Sequence, residues 1–485
     1  MDKSLKGLKP EALWKHFDQI RQCPRCSGYE GPVREYVVSF AKEKKLDYAV
    51  DEVGNVMIYK KASPGKEKAP GVILQGHLDM VCEKDSHVVH DFSKDPIKLK
   101  LDGEWLMADG TSLGADNGIG VAATLAALED DSLVHGPLEG IFTIDEERGL
   151  TGAQSLKTEH LRGKYLLNLD SEEEGVFFIG CAGGGDSVIT LPAPKEGIRH
   201  GEKFTIKIGG LKGGHSGMDI NLGRGSAIKI LARSLYAILE KGIVFQLLSL
   251  AGGSKRNAIP REAWAQIALP ADQVHQMQEI VENIAKTVKA ELKETEPGLK
   301  VTVEKGCTEA KALSLETTEK IIRLLMVLPH GVLGMSQSVA GLVESSTNLA
   351  VVATAEDSIM VETNIRSSVN SLLRSYLSSV KAVTELLGAS VNQPDPYPGW
   401  APNVHSPLLG TMKKIYRELY GKEPQAAAIH AGLETGIIGE KLPGLDMISF
   451  GPDLQHPHSP EERVKTETVS RFWDLLVKTL AVLAS

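Results

Sequence analysis

The sequence contains no run of about 18 apolar residues, the length that a membrane-crossing helix requires. Its first residues, Met1–Lys6, also lack the apolar segment of a secretory signal peptide. There is no basic block, and a formal net charge of −9 argues against a nucleic-acid surface. We therefore expect a protein that binds neither membranes nor nucleic acids.

Cysteine is scarce, with five residues in a chain of 485. An odd number of scattered cysteines is typical of a reducing compartment, so we predict a cytoplasmic protein. Cys23 and Cys26 form a CxxC pair, but a structural zinc site would need a second pair, and Cys82, Cys181 and Cys307 stand alone in the sequence. We interpret the CxxC pair as coincidental, with a redox or metal role as the alternative.

The length and the segment pattern predict two domains. Apolar residues make up 42% of the chain and the mean hydropathy is −0.11, as in globular proteins. A chain of 485 residues is too long for one ordinary core. Alternating strand-like and helical segments predict an α/β catalytic domain, with a doubly wound and mostly parallel sheet, that is interrupted by an inserted α+β lid domain. The expected boundaries are 1–185 and 394–485 for the catalytic domain and 186–393 for the lid.

A weak internal repeat lies within the expected lid. Ser254–Ile259 and Ser345–Ala350 each contain an asparagine and each precede a strand-like and a helical segment. We interpret them as traces of two related subdomains.

The most informative feature of the chain is a set of acidic residues and histidines that follow short apolar runs. The four runs and the residues after them are Gly71–Gln75 with His77 and Asp79, Gly140–Ile144 with Glu146 and Glu147, Tyr165–Leu169 with Asp170, and Met447–Phe450 with His458. A fifth segment, which contains Asp116, opens a helix instead. Such runs fit buried strands of a parallel sheet, whose carboxyl ends form the ligand crevice, so we expect these side chains to meet.

These residue types have the chemistry of a hydrolytic metal site. Asp, Glu and His bind hard or borderline divalent cations. The three successive acids Asp145–Glu147 repel one another unless a cation or solvent compensates their charge. A metal would take one carboxylate as a ligand and leave its neighbour free to accept a proton. Each motif alone is equally compatible with a solvated strand end, so the prediction depends on their combination.

On these residues the chain resembles the di-zinc exopeptidases, a family that includes aminoacylase and carnosinase. The matching segments are Gly76–Asp79, Gly114–Gly118, Asp145–Glu147, Asn168–Asp170 and His458–Glu461. Two further segments, Gly214–Gly217 and Ile429–Gly436, make the chain most similar to the family's bacterial branch that hydrolyses aminoacyl-histidine dipeptides. The resemblance covers nearly the whole chain.

The resemblance implies two divalent metal ions, expected to be zinc, although manganese and cobalt suit the same ligands. His77 and Asp170 would hold one ion, Glu147 and His458 the other, and Asp116 would bridge them, with a cis peptide bond to Asn117. Glu146 would be the general base that takes a proton from a metal-bridging water and passes it to the leaving amine. Asp79 would orient the His77 ring.

The resemblance also implies residues that bind substrate. His215 would donate to the developing oxyanion, and the Arg366 guanidinium would bind the substrate's C-terminal carboxylate. Asn257 and Asn348 are further candidates for that pocket, and either Glu434 or His430 is a candidate in the Ile429–Gly436 loop.

If the lid carries His215 and Arg366, we expect it to be hinged near Gly185 and Pro394 and to limit the substrate to short peptides. The expected activity is the hydrolysis of free dipeptides, including Xaa-His. The alternatives are an aminotripeptidase or an N-acyl amino acid deacylase of the same clan, and a non-catalytic metal-binding protein. We expect a homodimer, and whether His215 acts in its own subunit stays open.

Overall fold

The computed structural model describes residues 1–199 and 201–485, which form two compact units. Unit 1 comprises residues 1–181, 400–428 and 433–485, and unit 2 comprises residues 182–399 and 429–432. Within the described ranges, no helix has both the length and the apolar character needed to cross a membrane.

The first segment of unit 1 contains the helices and strands α1 (Glu11–Ile20), α2 (Gly31–Glu43), β1 (Asp47–Val50), β2 (Val56–Lys60), β3 (Val72–His77), β4 (Leu99–Asp102), β5 (Trp105–Ala108), α3 (Ala115–Glu129), β6 (Leu138–Thr143), α4 (Glu146–Gly149), α5 (Thr151–Ser155), β7 (Tyr165–Asn168) and β8 (Val176–Cys181).

Unit 2 contains β9 (Gly183–Pro192), β10 (Lys195–Gly197), β11 (Glu202–Gly209), β12 (Gly214–His215), α6 (Ala227–Glu240), β13 (Gln246–Gly252), β14 (Ala258–Ile259), β15 (Ala263–Leu269), α7 (Val274–Glu291), β16 (Lys300–Lys305), β17 (Lys311–Leu313), α8 (Leu315–Val327), β18 (Gly331–Met335), β19 (Val343–Thr354), β20 (Ser358–Ser367), α9 (Asn370–Leu386) and β21 (Ser390–Asn392). The last part of the chain contains α10 (Pro407–Tyr420), β22 (Gln425–Ile429), α11 (Glu434–Lys441), β23 (Asp446–Ser449), β24 (Leu454–Gln455), β25 (Arg463–Lys465) and α12 (Thr466–Leu483).

The main sheet of unit 1 has eight strands in the order β1-β2-β6-β3-β7-β23-β8-β22. Its centre is parallel, because β3 pairs in parallel with both β6 and β7, and β23 pairs in parallel with β7. All six residues of β3 and all six of β6 are buried, as expected for strands covered on both faces. Helices α3, α10 and α11 pack on these central strands. This is the predicted α/β architecture, with antiparallel strands added at both sides.

Unit 2 is built around one antiparallel sheet with the order β16-β11-β15-β13-β19-β20-β9-β21. Each half of this sheet follows the same path. In chain order the first half runs β11-α6-β13-β15-α7-β16, and the second runs β9-α8-β19-β20-α9-β21. In each half, the strand that comes first in the chain lies between the fourth strand and the third. The strand that comes second lies in the middle of the sheet, where the two halves meet. The first half is inserted between β9 and α8 of the second, and the short pair β10–β17 joins its two ends.

One local expectation is wrong. Cys82 does not stand alone, because it forms a disulfide with Cys26, 56 residues away in the sequence. A scan for local cysteine motifs does not find such a pair. The glycines expected to form a hinge near Gly185 lie in β9, where Gly185 pairs with Ile365.

Candidate metal centre

The parallel strands bring the predicted residues to one end of the unit 1 sheet. His77 is the last residue of β3, Glu146 and Glu147 follow β6 at the start of α4, and Asp170 lies two residues beyond β7. His458 lies in the loop between β24 and β25. Because the central strands run in the same direction, their carboxyl ends coincide, and the side chains that follow them converge.

Asp116 lies between the two histidines. Its Oδ1 atom is 3.0 Å from His77 Nε2, and its Oδ2 atom is 3.2 Å from His458 Nε2. The peptide bond between Asp116 and Asn117 is cis, as the family resemblance implies. Asn117 then donates a 2.7 Å hydrogen bond to the Leu169 carbonyl, and a Cβ atom at Gly76 would collide with its side chain. Glycine at position 76 therefore leaves the room that Asn117 needs beside β3.

Two sets of ligand atoms share this aspartate. His77, Asp116 and Asp170 form one set, and Asp116, Glu147 and His458 form the other. Within each set the candidate ligand atoms lie within 4.8 Å of one another. His77 Nε2 is 3.3 Å from Asp170 Oδ1, and His458 Nε2 is 2.9 Å from Glu147 Oε2. The five predicted metal ligands are thus arranged as two sites with one common residue.

Asp79 is placed to fix both the histidine and the acidic turn. Its Oδ1 atom is 3.4 Å from His77 Nδ1 and accepts a 3.0 Å hydrogen bond from the Glu146 backbone N–H. Its Oδ2 atom accepts a 3.2 Å hydrogen bond from the Glu147 backbone N–H. One buried carboxylate therefore sets the position of a predicted ligand and of the predicted base.

The electrostatics of the centre fit a pair of cations. Buried Glu147 Oε1 has no hydrogen-bond partner among the described residues. Burial raises the pKa of the Asp170 carboxyl to about 6, with further increases from Asp116 and Glu147 and an opposing effect from His77. Burial also raises the pKa of Glu146, and its charged neighbours Asp170, Glu434 and Glu147 raise it further. Carboxylates so crowded are stable as anions only beside positive charge, which divalent ions would supply.

Glu462 holds the loop that carries Asp116. Its buried carboxylate accepts backbone hydrogen bonds from Leu113 (2.7 Å), Gly114 (2.8 Å), Ala115 (2.7 Å) and Asp116 (3.2 Å). Sequence reasoning missed this role, since Glu462 follows the matching segment His458–Glu461 as a second, ordinary-looking acid.

Arg25 was missed as well, because it lies inside the CxxC segment that we interpreted as coincidental. Its guanidinium is 2% exposed and donates to the carbonyl groups of Leu78 (3.0 Å), Asp79 (2.9 Å) and Gly114. It therefore joins the segment after His77 to the loop before Asp116. The Cys26–Cys82 disulfide fixes the chain next to it.

A row of buried polar side chains crosses the sheet directly below the ligands. Asn168 Nδ2 donates a 2.6 Å hydrogen bond to Gln75 Oε1, and Gln75 Nε2 donates a 2.5 Å hydrogen bond to Glu434 Oε2. The Thr143 hydroxyl donates a 2.6 Å hydrogen bond to the same glutamate oxygen. At the other end of the row, the Ser449 hydroxyl donates a hydrogen bond to Asn168 Oδ1. We call Thr143, Gln75, Asn168 and Ser449 the polar row; all four are fully buried. The sequence could have indicated the polar row, because each of its members is a polar residue within a mostly apolar strand.

The remaining predicted site residues lie in unit 2, where His215 has a defined tautomer. Its Nδ1 atom accepts hydrogen bonds from the backbone N–H groups of Gly217 (3.2 Å) and Met218 (3.1 Å). Burial lowers the pKa of His215, and the charge of Arg366 lowers it further. The ring is therefore neutral, with its proton on Nε2, and that atom is available as a donor.

Arg366 lies in β20 next to Ser346 of β19, and it is 7% exposed. Its Nε atom has no hydrogen-bond partner within the described residues. Ser346 Oγ is 2.7 Å from His430 Nε2. Burial lowers the pKa of His430 to about 4, and the charges of Arg366 and His215 contribute to this decrease. Arg366 is therefore a buried cation with an unused Nε–H, which suits an anion.

The two predicted asparagines differ. Asn348 is buried, and its Nδ2 atom donates to the carbonyl groups of Arg256 (2.9 Å) and Ala258 (2.8 Å). Its Oδ1 atom has no partner in the described part of the chain. Asn257 lies between those two residues and is exposed. Asn348 thus fixes the loop that carries Asn257.

Comparison with known proteins gives consistent matches. The model of peptidase family M20/M25/M40 matches residues 73–482. The cytosol non-specific dipeptidase of Escherichia coli K12 is 42% identical over 477 residues, which cover 98% of each chain. The crystal structure of aminoacylhistidine dipeptidase from Vibrio alginolyticus superposes with a TM-score of 0.92 at 41% identity, covering 99% of this chain and 98% of that one.

A more distant structural match is aminopeptidase PepT from Bacillus cereus ATCC 10987. It has a TM-score of 0.57 and 16% identity, and the match covers 99% of this chain and 100% of that one. At that level of identity the match shows a common fold only.

Proposed function

We propose that this chain, which belongs to peptidase family M20/M25/M40, is a metal-dependent dipeptidase that hydrolyses the peptide bond of free dipeptides, Xaa-His among them. The two relatives that are about 40% identical over nearly their full length are both dipeptidases by name. One observation of the structure carries the mechanism: each carboxylate oxygen of Asp116 faces a different histidine, so that one residue can serve two metal sites.

In this proposal His77 and Asp170 would hold one divalent ion, Glu147 and His458 would hold the other, and Asp116 would serve both sets. When bound, two such ions polarise the peptide carbonyl and lower the pKa of a water molecule towards neutrality. The donor set of imidazole and carboxylate groups suits zinc, and it equally suits manganese or cobalt.

Glu146 is the residue that moves the proton. It is not needed as a ligand in either set with Asp116, and its raised pKa makes it a stronger proton acceptor than an ordinary carboxylate. It would take a proton from the attacking water and deliver it to the leaving amine. Asp79 is a positioning residue, because it contacts the ring of His77 and the backbone of Glu146 rather than the substrate.

The unit 2 residues are proposed to act on the same substrate. His215 would donate its Nε2 proton to the oxyanion that develops on the scissile carbonyl. Arg366 would pair with the C-terminal carboxylate, and its buried Nε–H, which has no partner among the described residues, supports this. Asn257 and Asn348 would contact the same carboxylate, and Glu434 of unit 1 is the fifth proposed substrate residue.

Three finer assignments remain proposals. We propose zinc as the native metal, a homodimer as the assembly, and the cytoplasm as the location. The word "cytosol" in the name of the Escherichia coli relative supports the last of these.

The test is hydrolysis of a small panel containing β-Ala-His, Gly-Gly, Leu-Gly-Gly and N-acetyl-Leu. The panel is run on metal-free protein, on protein with Zn²⁺, Mn²⁺ or Co²⁺ restored, and on Glu146→Ala. We expect metal-dependent cleavage of the two free dipeptides, reduced at least about 100-fold in the variant. The variant should still bind two ions per chain.

Each other outcome has a defined meaning. Cleavage of Leu-Gly-Gly in preference to dipeptides would make the protein an aminotripeptidase. Cleavage of N-acetyl-Leu would make it a deacylase. Full binding of two ions without cleavage of any panel member would contradict the proposed activity.

A further inference from the structure

Glu434 is a buried acid that the proposed chemistry leaves without a defined role. It is the first residue of α11 and is only 1% exposed. One of its oxygens, Oε2, accepts hydrogen bonds from Thr143 (2.6 Å) and Gln75 (2.5 Å). These two bonds fix the carboxylate to the end of the polar row, so its position is set by strands β6 and β3.

The other oxygen of Glu434 has no such partner. Oε1 makes no hydrogen bond to any described residue, although it is buried. A buried acceptor that lacks a donor is costly, and a buried charge that lacks a counter-charge is more so. The side chain can therefore receive a donor that none of the described residues supplies.

The surroundings of Glu434 indicate that this donor is positively charged. The electrostatic neighbours that act on its carboxyl group include His77, Asp170 and Asp79, and its own charge acts on Glu146. Glu434 thus lies beside the metal centre rather than in a separate part of unit 1. Burial is the main reason that the pKa of its carboxyl rises to about 7.

The carboxylates around the two ligand sets differ in the roles they already have. Asp116, Glu147 and Asp170 are proposed metal ligands, Glu146 is the proposed base, and Asp79 supports His77. Glu434 has no such task, and its Oε1 atom accepts no hydrogen bond from a described residue.

We propose that Glu434 is the specificity-determining residue for a free α-amino group: its Oε1 atom accepts a hydrogen bond from the substrate's N-terminal ammonium. This inference rests on the proposed dipeptidase function and deepens it. A free dipeptide brings a cation to the centre, whereas an N-acylated peptide brings a neutral amide that cannot compensate the carboxylate. The same contact would set the distance between the substrate N-terminus and the reacting bond to one residue.

The test measures binding rather than turnover. The ligands are a phosphinic dipeptide analogue, in which a phosphinate and a methylene replace the peptide bond, and its des-amino counterpart. Both carry the same metal-binding group, so loss of metal would weaken both equally. Dissociation constants are measured by calorimetry on metal-loaded wild type, on Glu434→Gln, and on Glu440→Gln. Glu440 is exposed on the same helix, so its variant removes the same charge away from the centre.

We expect wild type to bind the amine form at least about tenfold more tightly than the des-amino form, as for a charged hydrogen bond. Glu434→Gln should bring that ratio to about two or less while the des-amino Kd stays within about threefold of wild type. Gln is isosteric and can keep the bonds to Thr143 and Gln75. Glu440→Gln should keep the wild-type ratio.

Three results would overturn the proposal: a wild-type ratio near one, an unchanged ratio in Glu434→Gln, or equal weakening of both ligands in that variant. The ratio of the two dissociation constants in wild type tests the proposal even if Glu434→Gln does not fold. Failure of the dipeptidase function itself would appear separately, as an absence of dipeptide hydrolysis by wild type.

Discussion

Asn168 donates a 2.6 Å side-chain hydrogen bond to Gln75 across two parallel strands, and both residues are fully buried. Each lies two positions before a proposed metal ligand, Asp170 and His77 respectively. Because side chains in a strand alternate between faces, residues two apart point the same way. The hydrogen bond therefore ties β7 to β3 immediately beneath the place where an ion would join the two ligands.

Replacing Asn168 with Leu should destabilise the metal-free protein by about 2–4 kcal/mol. The change leaves Gln75 Oε1 and the Ser449 hydroxyl buried without this partner. Denaturant unfolding measures the loss, and competition with a chelator should show weaker binding at one of the two metal sites. Ser171→Ala is the control, because it removes a hydroxyl that contacts only the end of the row, at Ser449. Equal metal affinity in Asn168→Leu and wild type would contradict a positioning role.

Glu462→Ala should cost more than about 3 kcal/mol of unfolding free energy, because the buried backbone N–H groups of residues 113–116 lose their acceptor. Metal stoichiometry should fall as well, since Asp116 is proposed to serve both ions. The matched control is Glu461→Ala, one residue earlier and exposed, which should change stability by less than about 0.5 kcal/mol. Similar behaviour of the two variants would show that the Glu462 carboxylate does not support the site.

His215→Ala should lower kcat about 100- to 1000-fold with little change in bound metal, as expected when one oxyanion donor is lost. Whether this histidine acts in its own subunit can be tested by mixing chains. If it acts in cis, a mixture of His215→Ala and Glu146→Ala chains stays inactive. If it acts on a partner subunit, hybrid dimers recover part of the wild-type activity. An unchanged kcat in His215→Ala would exclude it from the reaction.

Metal binding should release protons. In metal-free protein, hydrogen bonds that the His458 ring donates to the carboxylates of Asp116 and Glu147 raise the pKa of His458 to about 11. The imidazole is therefore protonated at neutral pH, and an ion can bind only its neutral form. Affinity should fall as the pH falls, and calorimetry in buffers of different ionisation enthalpy should show net proton release. Binding heats that do not depend on the buffer would contradict this.

The same shift predicts how metal-free protein responds to pH. The folded pKa of His458 lies above its unfolded value, so the ion pairs stabilise the fold fully below about pH 6.5. This contribution is lost as the pH rises through about 11. Unfolding of His458→Ala and wild type across this range measures it, with convergence expected only at high pH.

The α/β architecture and the convergence of the candidate ligands could be predicted from the sequence because both depend on local patterns. Apolar runs that end at His77 or Asp170 are visible along the chain, and parallel pairing follows from their burial. The family resemblance then added the shared role of Asp116.

The supporting residues could not be predicted because they act through contacts between distant segments. Glu462 reaches back about 350 positions to cap the Asp116 loop, and no spacing rule links them. Arg25 binds backbone carbonyl groups, and because every residue has one, the identities of its partners give no sign of the contact. The pairing of Cys26 with Cys82 could not be predicted for the same reason, since it depends on how the chain after β3 passes the N-terminal helices.

We propose that two metal ions share Asp116. Anomalous diffraction from crystals of zinc-loaded protein, recorded on both sides of the zinc absorption edge, tests it directly. We expect two anomalous peaks, one among His77, Asp116 and Asp170 and one among Asp116, Glu147 and His458. A single peak, or two peaks of which only one contacts Asp116, would contradict it.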